Sequence, residues 1–115
     1  MHLLRQETAS ITCINHLNES QFHEDSSLNA LTKSLSIEWG GNNILINSVS
    51  PGFTLTELTE KTNSKEEINK IIETIPLNRL AKPKDIASFV VFLSSETNTY
   101  LNGQNLIIDG GYTCL

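Results

Sequence analysis

Two groups of residues along this chain have side chains that could do chemistry. The first is the polar run His16-Leu-Asn-Glu-Ser-Gln-Phe-His-Glu-Asp25. His16, Glu19, His23, Glu24 and Asp25 are the residue types that bind metals, and Ser20, His23 and Asp25 are those of a nucleophilic triad. The spacing argues against both. The histidines do not stand at the i, i+4 separation that brings two ligands to one helix face, and no CxxC grouping supports them. A triad is made by convergence in space, not by proximity in a polar loop. A solvated surface loop is the plainer reading, and no metal ligands or catalytic residues are expected there. The second group is Pro51-Gly-Phe-Thr-Leu-Thr56. It follows an apolar run directly and offers two hydroxyls and a bend in the backbone. It reads either as an ordinary Pro-Gly turn or as a binding loop at a strand end.

The elements that must position these residues follow from hydrophobic spacing. Ser10–Asn15 is short, apolar and β-branched, and reads as a buried strand. Asp25 or Ser26 can cap a helix running from about Ser26 to Trp39, with Leu28, Leu31, Leu35 and Trp39 as its apolar stripe. Gly40-Gly41 is expected to end that helix, with glycine in the left-handed conformation of a C-cap. Ile44–Val49 is apolar on both faces, as in a parallel strand covered by helices on each side. Phe53–Asn63 is Thr-rich and without periodicity, a loop or weak helix. Ser64-Lys-Glu-Glu67 has the capping-box pattern and starts a helix to about Thr74, with Ile68, Ile71 and Ile72 on one side. Pro76 interrupts the chain. Pro83 begins a last helix carrying Ile86, Phe89, Val90 and Leu93. Asn105–Asp109 is a final strand closed by Gly110-Gly111. The order β-α-β-α-α-β, with a long crossover between the first two strands, predicts a parallel sheet.

Composition narrows the function classes. The 115 residues are 38% hydrophobic and 18% charged, enough for a small core. Eight Lys+Arg against thirteen Asp+Glu give a net charge of -5, which disfavours nucleic acid and anionic membranes as partners. The longest apolar stretch, Ile86–Leu93, is far short of the ~20 residues that span a bilayer. No signal peptide is visible at Met1–Glu7. Cys13 and Cys114 sit near opposite ends, which suits a reduced, cytoplasmic chain better than a disulfide scaffold.

From Leu28 to Thr113 the chain resembles the C-terminal part of the short-chain dehydrogenase/reductase family. The resemblance is carried by Leu28–Trp39, by Ile46-Asn-Ser-Val-Ser-Pro-Gly-Phe-Thr-Leu-Thr56, by Pro76-Leu-Asn-Arg-Leu-Ala-Lys-Pro-Lys-Asp-Ile-Ala87 with Phe92–Ser95, and by Leu101–Gly111. These blocks occur in family order and spacing. The resemblance implies an α/β fold, the truncated C-terminal part of a doubly wound, Rossmann-like parallel sheet forming one partial domain over 1–115. It implies NAD or NADP as cofactor and hydride transfer between nicotinamide and a carbonyl or alcohol. The subgroup it suggests is 3-oxoacyl reductases or small polyol and sugar-alcohol dehydrogenases. By resemblance, Pro51, Gly52, Thr54 and Thr56 form the cofactor loop. The Thr54 backbone would meet the nicotinamide carboxamide, and the Thr56 hydroxyl the pyrophosphate. Asp109-Gly-Gly111 would be a structural turn beside the sheet edge.

The chain also departs from the family. No glycine-rich phosphate loop occurs, and the half that would bear the first four strands is expected to be missing. Counting back from Asn29–Lys33, the family's catalytic Tyr falls on Gln21 and its Lys on Asp25. Gln cannot exchange a proton usefully near neutral pH, and a carboxylate would raise a neighbouring phenol's pKa. Asn15 or His16 stands loosely at the family's Ser. The expectation is an incomplete chain without activity of its own. Its partners would be itself or full-length relatives, through the retained helix surface and the open edge of the first strand. The alternative is a non-catalytic module that docks on such relatives.

Overall fold

The computed structural model describes residues 9–14 and 27–114. Three parallel strands form its sheet, in the order β1 (Ala9–Ile14), β2 (Ile44–Pro51), β3 (Asn105–Ile108). Ala9 registers with Ile44 and Ile14 with Val49 on one side of β2; Ser48 registers with Asn105 and Pro51 with Ile108 on the other. The parallel α/β architecture expected from the sequence is what forms. β2 is central, and its last seven residues are all buried. That explains the apolar run without alternation.

Helix α1 (Ser27–Gly40) makes the crossover from β1 to β2. Of the stripe expected from periodicity, Leu28, Leu35 and Trp39 are half-buried, but the fully buried positions of this face are polar and Leu31 lies off it. Leu31 is 51% exposed, whereas Thr32 and Ser36 are the buried residues. Their hydroxyls donate to the carbonyls of Leu28 (2.7 Å) and Lys33 (2.7 Å), so both polar groups are satisfied within the helix. Small residues here let the helix approach its neighbours closely. The left-handed residue after α1 is not glycine either: Asn43 has φ 59°. Asn42 and Asn43 donate back to the carbonyls of Trp39 and Gly40, tightening the helix end through two 3.0 Å bonds.

Beyond β2 the chain forms α2 (Glu57–Thr62), α3 (Lys65–Thr74) and α4 (Pro83–Ser94). The weak helix allowed for Phe53–Asn63 is α2. The capping box is present: Ser64 Oγ accepts from Glu67 N at 3.2 Å, and Ser64 N donates to Glu67 Oε2 at 2.7 Å. Pro83 opens α4 at the position where a missing N–H costs nothing. Val49, Ile86 and Leu93 form the core, with Phe89, Val90, Leu106 and Ile108 packed against them. Ser48 and Ser50, also buried, both donate to Asn105 Oδ1 (3.0 and 2.9 Å), so β3 is tied to β2 by side chains as well as by the ladder.

Candidate functional site

The loop leaving the C-terminal end of β2 is built by three constraints. Pro51 is the last residue of the ladder. Gly52 then donates to Ile108 O at 2.8 Å. A Cβ at this position would lie 2.7 Å from Asp109 Cβ and 2.8 Å from Asp109 Cα. Only glycine lets the chain pass the end of β3 so closely. Next, Thr54 forms an isolated parallel bridge with Ala81, through Ala81 N to Phe53 O (2.9 Å) and Leu55 N to Ala81 O (2.8 Å). The loop is thus pinned on both sides.

The two threonines of this loop are committed locally. Thr54 Oγ1 donates to Gly52 O at 3.0 Å. Thr56 is the N-cap of α2, accepting from Thr59 N at 3.2 Å. Thr59 Oγ1 donates to Thr54 O at 2.8 Å, which uses its single hydroxyl proton. In the 3.0 Å contact between Thr56 Oγ1 and Thr59 Oγ1, Thr56 is therefore the donor. Its proton must leave Thr59 before it can meet a phosphate oxygen. The Thr54 N–H, by contrast, has no acceptor among the described residues. Pro51, Gly52, Thr54 and Thr56 run from the buried carboxyl end of the central strand out to the exposed start of α2, at the strand end where open α/β sheets bind ligands. The loop's backbone offers one unused donor, the Thr54 N–H, among the described residues. Its hydroxyl protons are all committed within the loop and could be offered to an anion only if the cap rearranged.

Beside the loop lies a cavity of about 250 Å³ between Phe53, the end of β3 and the segment 77–85, walled by Phe53, Leu77, Arg79, Ala81, Asp85 and Asp109. Phe53 is held edge-on against Tyr112, with ring centroids 5.2 Å apart. Arg79 Nη1 donates to Asp85 Oδ2 at 2.8 Å and to Leu80 O at 3.1 Å. The Arg79 hydrogen bond, together with one from Lys82 N, holds the Asp85 carboxyl below its ordinary pKa. Asp109 behaves similarly for a different balance of reasons. Burial pushes its pKa up, but bonds from Thr113 Oγ1 (2.7 Å), Thr113 N (2.8 Å) and Gly111 N (2.9 Å) outweigh it and leave the pKa lowered. Asp109 thereby closes the turn that begins at the expected Gly110-Gly111.

Sequence reasoning did not single out this cavity or the Arg79–Asp85 pair. Both residues lie in the block Pro76–Ala87 that carried the resemblance, so the signal was their presence in that block, not their spacing. The polar cluster His16–Asp25, with Gln21 and Asp25, lies outside the described residues, as do Asn15 and the caps at Asp25 and Ser26. Among the described residues no helix is long and apolar enough to cross a membrane.

Comparison with known proteins bears on the whole segment. A family profile described as enoyl-(acyl carrier protein) reductase matches residues 23–113. The chain is 42% identical over 87 residues to a D-arabinitol 2-dehydrogenase (ribulose-forming) of Scheffersomyces stipitis, covering 73% of this chain and 31% of that protein. It is 41% identical over 83 residues to a D-threitol dehydrogenase of Mycolicibacterium smegmatis, covering 72% of this chain and 32% of that one. A solved structure from Beutenbergia cavernae, assigned as an NAD(P)-dependent gluconate 5-dehydrogenase and holding NADP at low occupancy, superposes with TM-score 0.75 at 27% identity. That match covers 92% of this chain and 47% of the other. The chain spans about a third of the length of these curated relatives.

Proposed function

Because the chain belongs to the short-chain dehydrogenase/reductase family, we propose that it supplies the nicotinamide-side part of an NAD(P)-dependent oxidoreductase fold and has no turnover of its own. The observation that carries this reading is the Pro51–Thr56 loop, pinned at the carboxyl end of the central strand with the Thr54 N–H unused among the described residues. When bound, the nicotinamide would supply or accept the hydride. Thr54 would hold the carboxamide through its backbone. Thr56 would turn its hydroxyl from Thr59 to the pyrophosphate.

Several features support the absence of independent turnover. No glycine-rich phosphate loop occurs in the sequence. Gln21 and Asp25 stand where the resemblance requires a proton-exchanging Tyr and a charge-donating Lys. The relatives named above favour polyols and sugar alcohols over 3-oxoacyl thioesters as the substrate class of the complete fold. A cytoplasmic setting is part of the proposal, consistent with an exposed, free Cys114 thiol.

The test is a turnover assay of the purified chain with NAD and NADP against arabinitol, threitol and galactitol, and with the reduced cofactors against 3-oxoacyl thioesters. No turnover is expected once host dehydrogenases are removed. Turnover that persists through that purification and falls in Thr56→Ala would overturn the reading. One observation favours the second reading, a docking module for itself or full-length family members. β1 pairs only with β2 among the described residues, so its other edge offers unpaired donors and acceptors.

A further inference from the structure

Asn102-Gly103 is the only Asn-Gly pair in the sequence, and the fold treats it unusually. The Asn102 side chain bridges two elements. Its Oδ1 accepts from Ile46 N in β2 at 2.9 Å, and its Nδ2 donates to Ser36 O in α1 at 3.2 Å. Gly103 N donates to Ile46 O at 2.7 Å. Gly103 is buried, with φ +74°, and a Cβ there would stand 2.5 Å from Ser36 Oγ. The same pair therefore clasps the crossover helix to the central strand.

We propose that Asn102 is a deamidation site that the native fold holds closed, so that its conversion records, and then fixes, the opening of the α1–β2 contact. The reaction needs only water. The Gly103 amide nitrogen loses its proton to solvent base and bonds to Asn102 Cγ. The Cγ–Nδ2 bond breaks, ammonia leaves with the returned proton, and a five-membered imide remains. Water then opens either imide carbonyl, leaving aspartate or isoaspartate at position 102. Glycine makes the attack easy because no side chain hinders its nitrogen.

In the closed fold both reacting groups are occupied. The nucleophilic nitrogen is donating to Ile46 O, and the amide that must swing toward it is held at both ends. Opening of this contact releases both together. The product does not close again. A carboxylate can still accept from Ile46 N but has no N–H for Ser36 O, and its second oxygen then faces that carbonyl near the C-terminal end of α1, where the helix dipole disfavours an anion. Isoaspartate adds a backbone carbon besides, which shifts Gly103 N away from Ile46 O.

The test incubates the full chain at mildly alkaline pH in buffer and in urea, with peptide mass spectrometry following the amide-to-acid change. Conversion at Asn102 is expected to be at least about tenfold faster in urea, the ratio reporting the closed population. The converted chain, separated by its added negative charge, is expected to melt at lower temperature than the unconverted one. Equal rates in buffer and urea would overturn the proposal. So would an Asn102 that stays intact in urea while other asparagines convert, or a converted chain that melts unchanged. None of these readings depends on a variant that folds.

Discussion

At the scale of single residues, two close approaches decide whether the loop after β2 can form. Gly52→Ala is expected to destabilise the chain by about 1–3 kcal/mol, because its Cβ has nowhere to go but into the Asp109 backbone. Denaturant unfolding measures it, and an unchanged midpoint would show that the end of β3 yields. Asp109 makes a pH prediction. Its folded pKa is lowered, so its contribution to stability is present above the unfolded value of about 3.9 and lost as pH falls through the folded value. Thermal melts between neutral and acid pH should show that loss. Asp109→Asn should flatten the part of it that Asp109 causes. The turn at Pro51-Gly52 was legible in the sequence, since a Pro-Gly after an apolar run ends a strand. The sequence did not reveal that Thr56 spends its proton on Thr59, because that depends on a hydroxyl chain closed by Thr54 O.

At the scale of elements, what periodicity and capping chemistry specify was legible, and what packing decides was not. Ser64 and Glu67 cap α3 as their spacing requires, and Ser64→Ala should cost about 1 kcal/mol by loss of that cap. The stripe of α1 held for Leu28, Leu35 and Trp39 but not for Leu31, and it missed the two buried polar positions, because a 3.6-residue period shows which residues share a face, not how near the facing element comes. Gly103 comes so near Ser36 that no larger side chain fits there, and Thr32, one turn earlier, is buried as well. This inverts the usual hydrophobicity rule at two positions. Leu31→Ser should change stability by no more than about 0.5 kcal/mol. Ser36→Leu should cost about 1–3 kcal/mol and expose Gly103 N to hydrogen exchange. Equal costs for the two substitutions would contradict the packing seen at α1. The glycine pair Gly40-Gly41 marks the end of α1 as expected, but the left-handed conformation falls on Asn43, because asparagine also tolerates that region.

At the scale of the whole molecule, the strand order explains both the family likeness and the proposed behaviour of the chain. β2 is flanked and buried, while β1 pairs on one side only among the described residues. We expect the chain to associate at micromolar concentration, with itself or with full-length relatives, since an open edge and partly covered helices recruit other chains. Light scattering during chromatography measures this. A sharp monomer peak at 12.8 kDa with cooperative unfolding would speak against it. The sequence conveyed the parallel topology because crossover lengths constrain it. It could not convey how tightly a cofactor is held, which depends on groups from more of the fold than one loop. The proposed role rests on that loop, and amide chemical shifts of the labelled chain during titration with nicotinamide mononucleotide address it most directly. Weak, saturable shifts centred on Thr54 and confined to Gly52–Thr56 are expected. Shifts centred elsewhere, or none at the highest soluble concentration, would contradict a nicotinamide-side role for this chain.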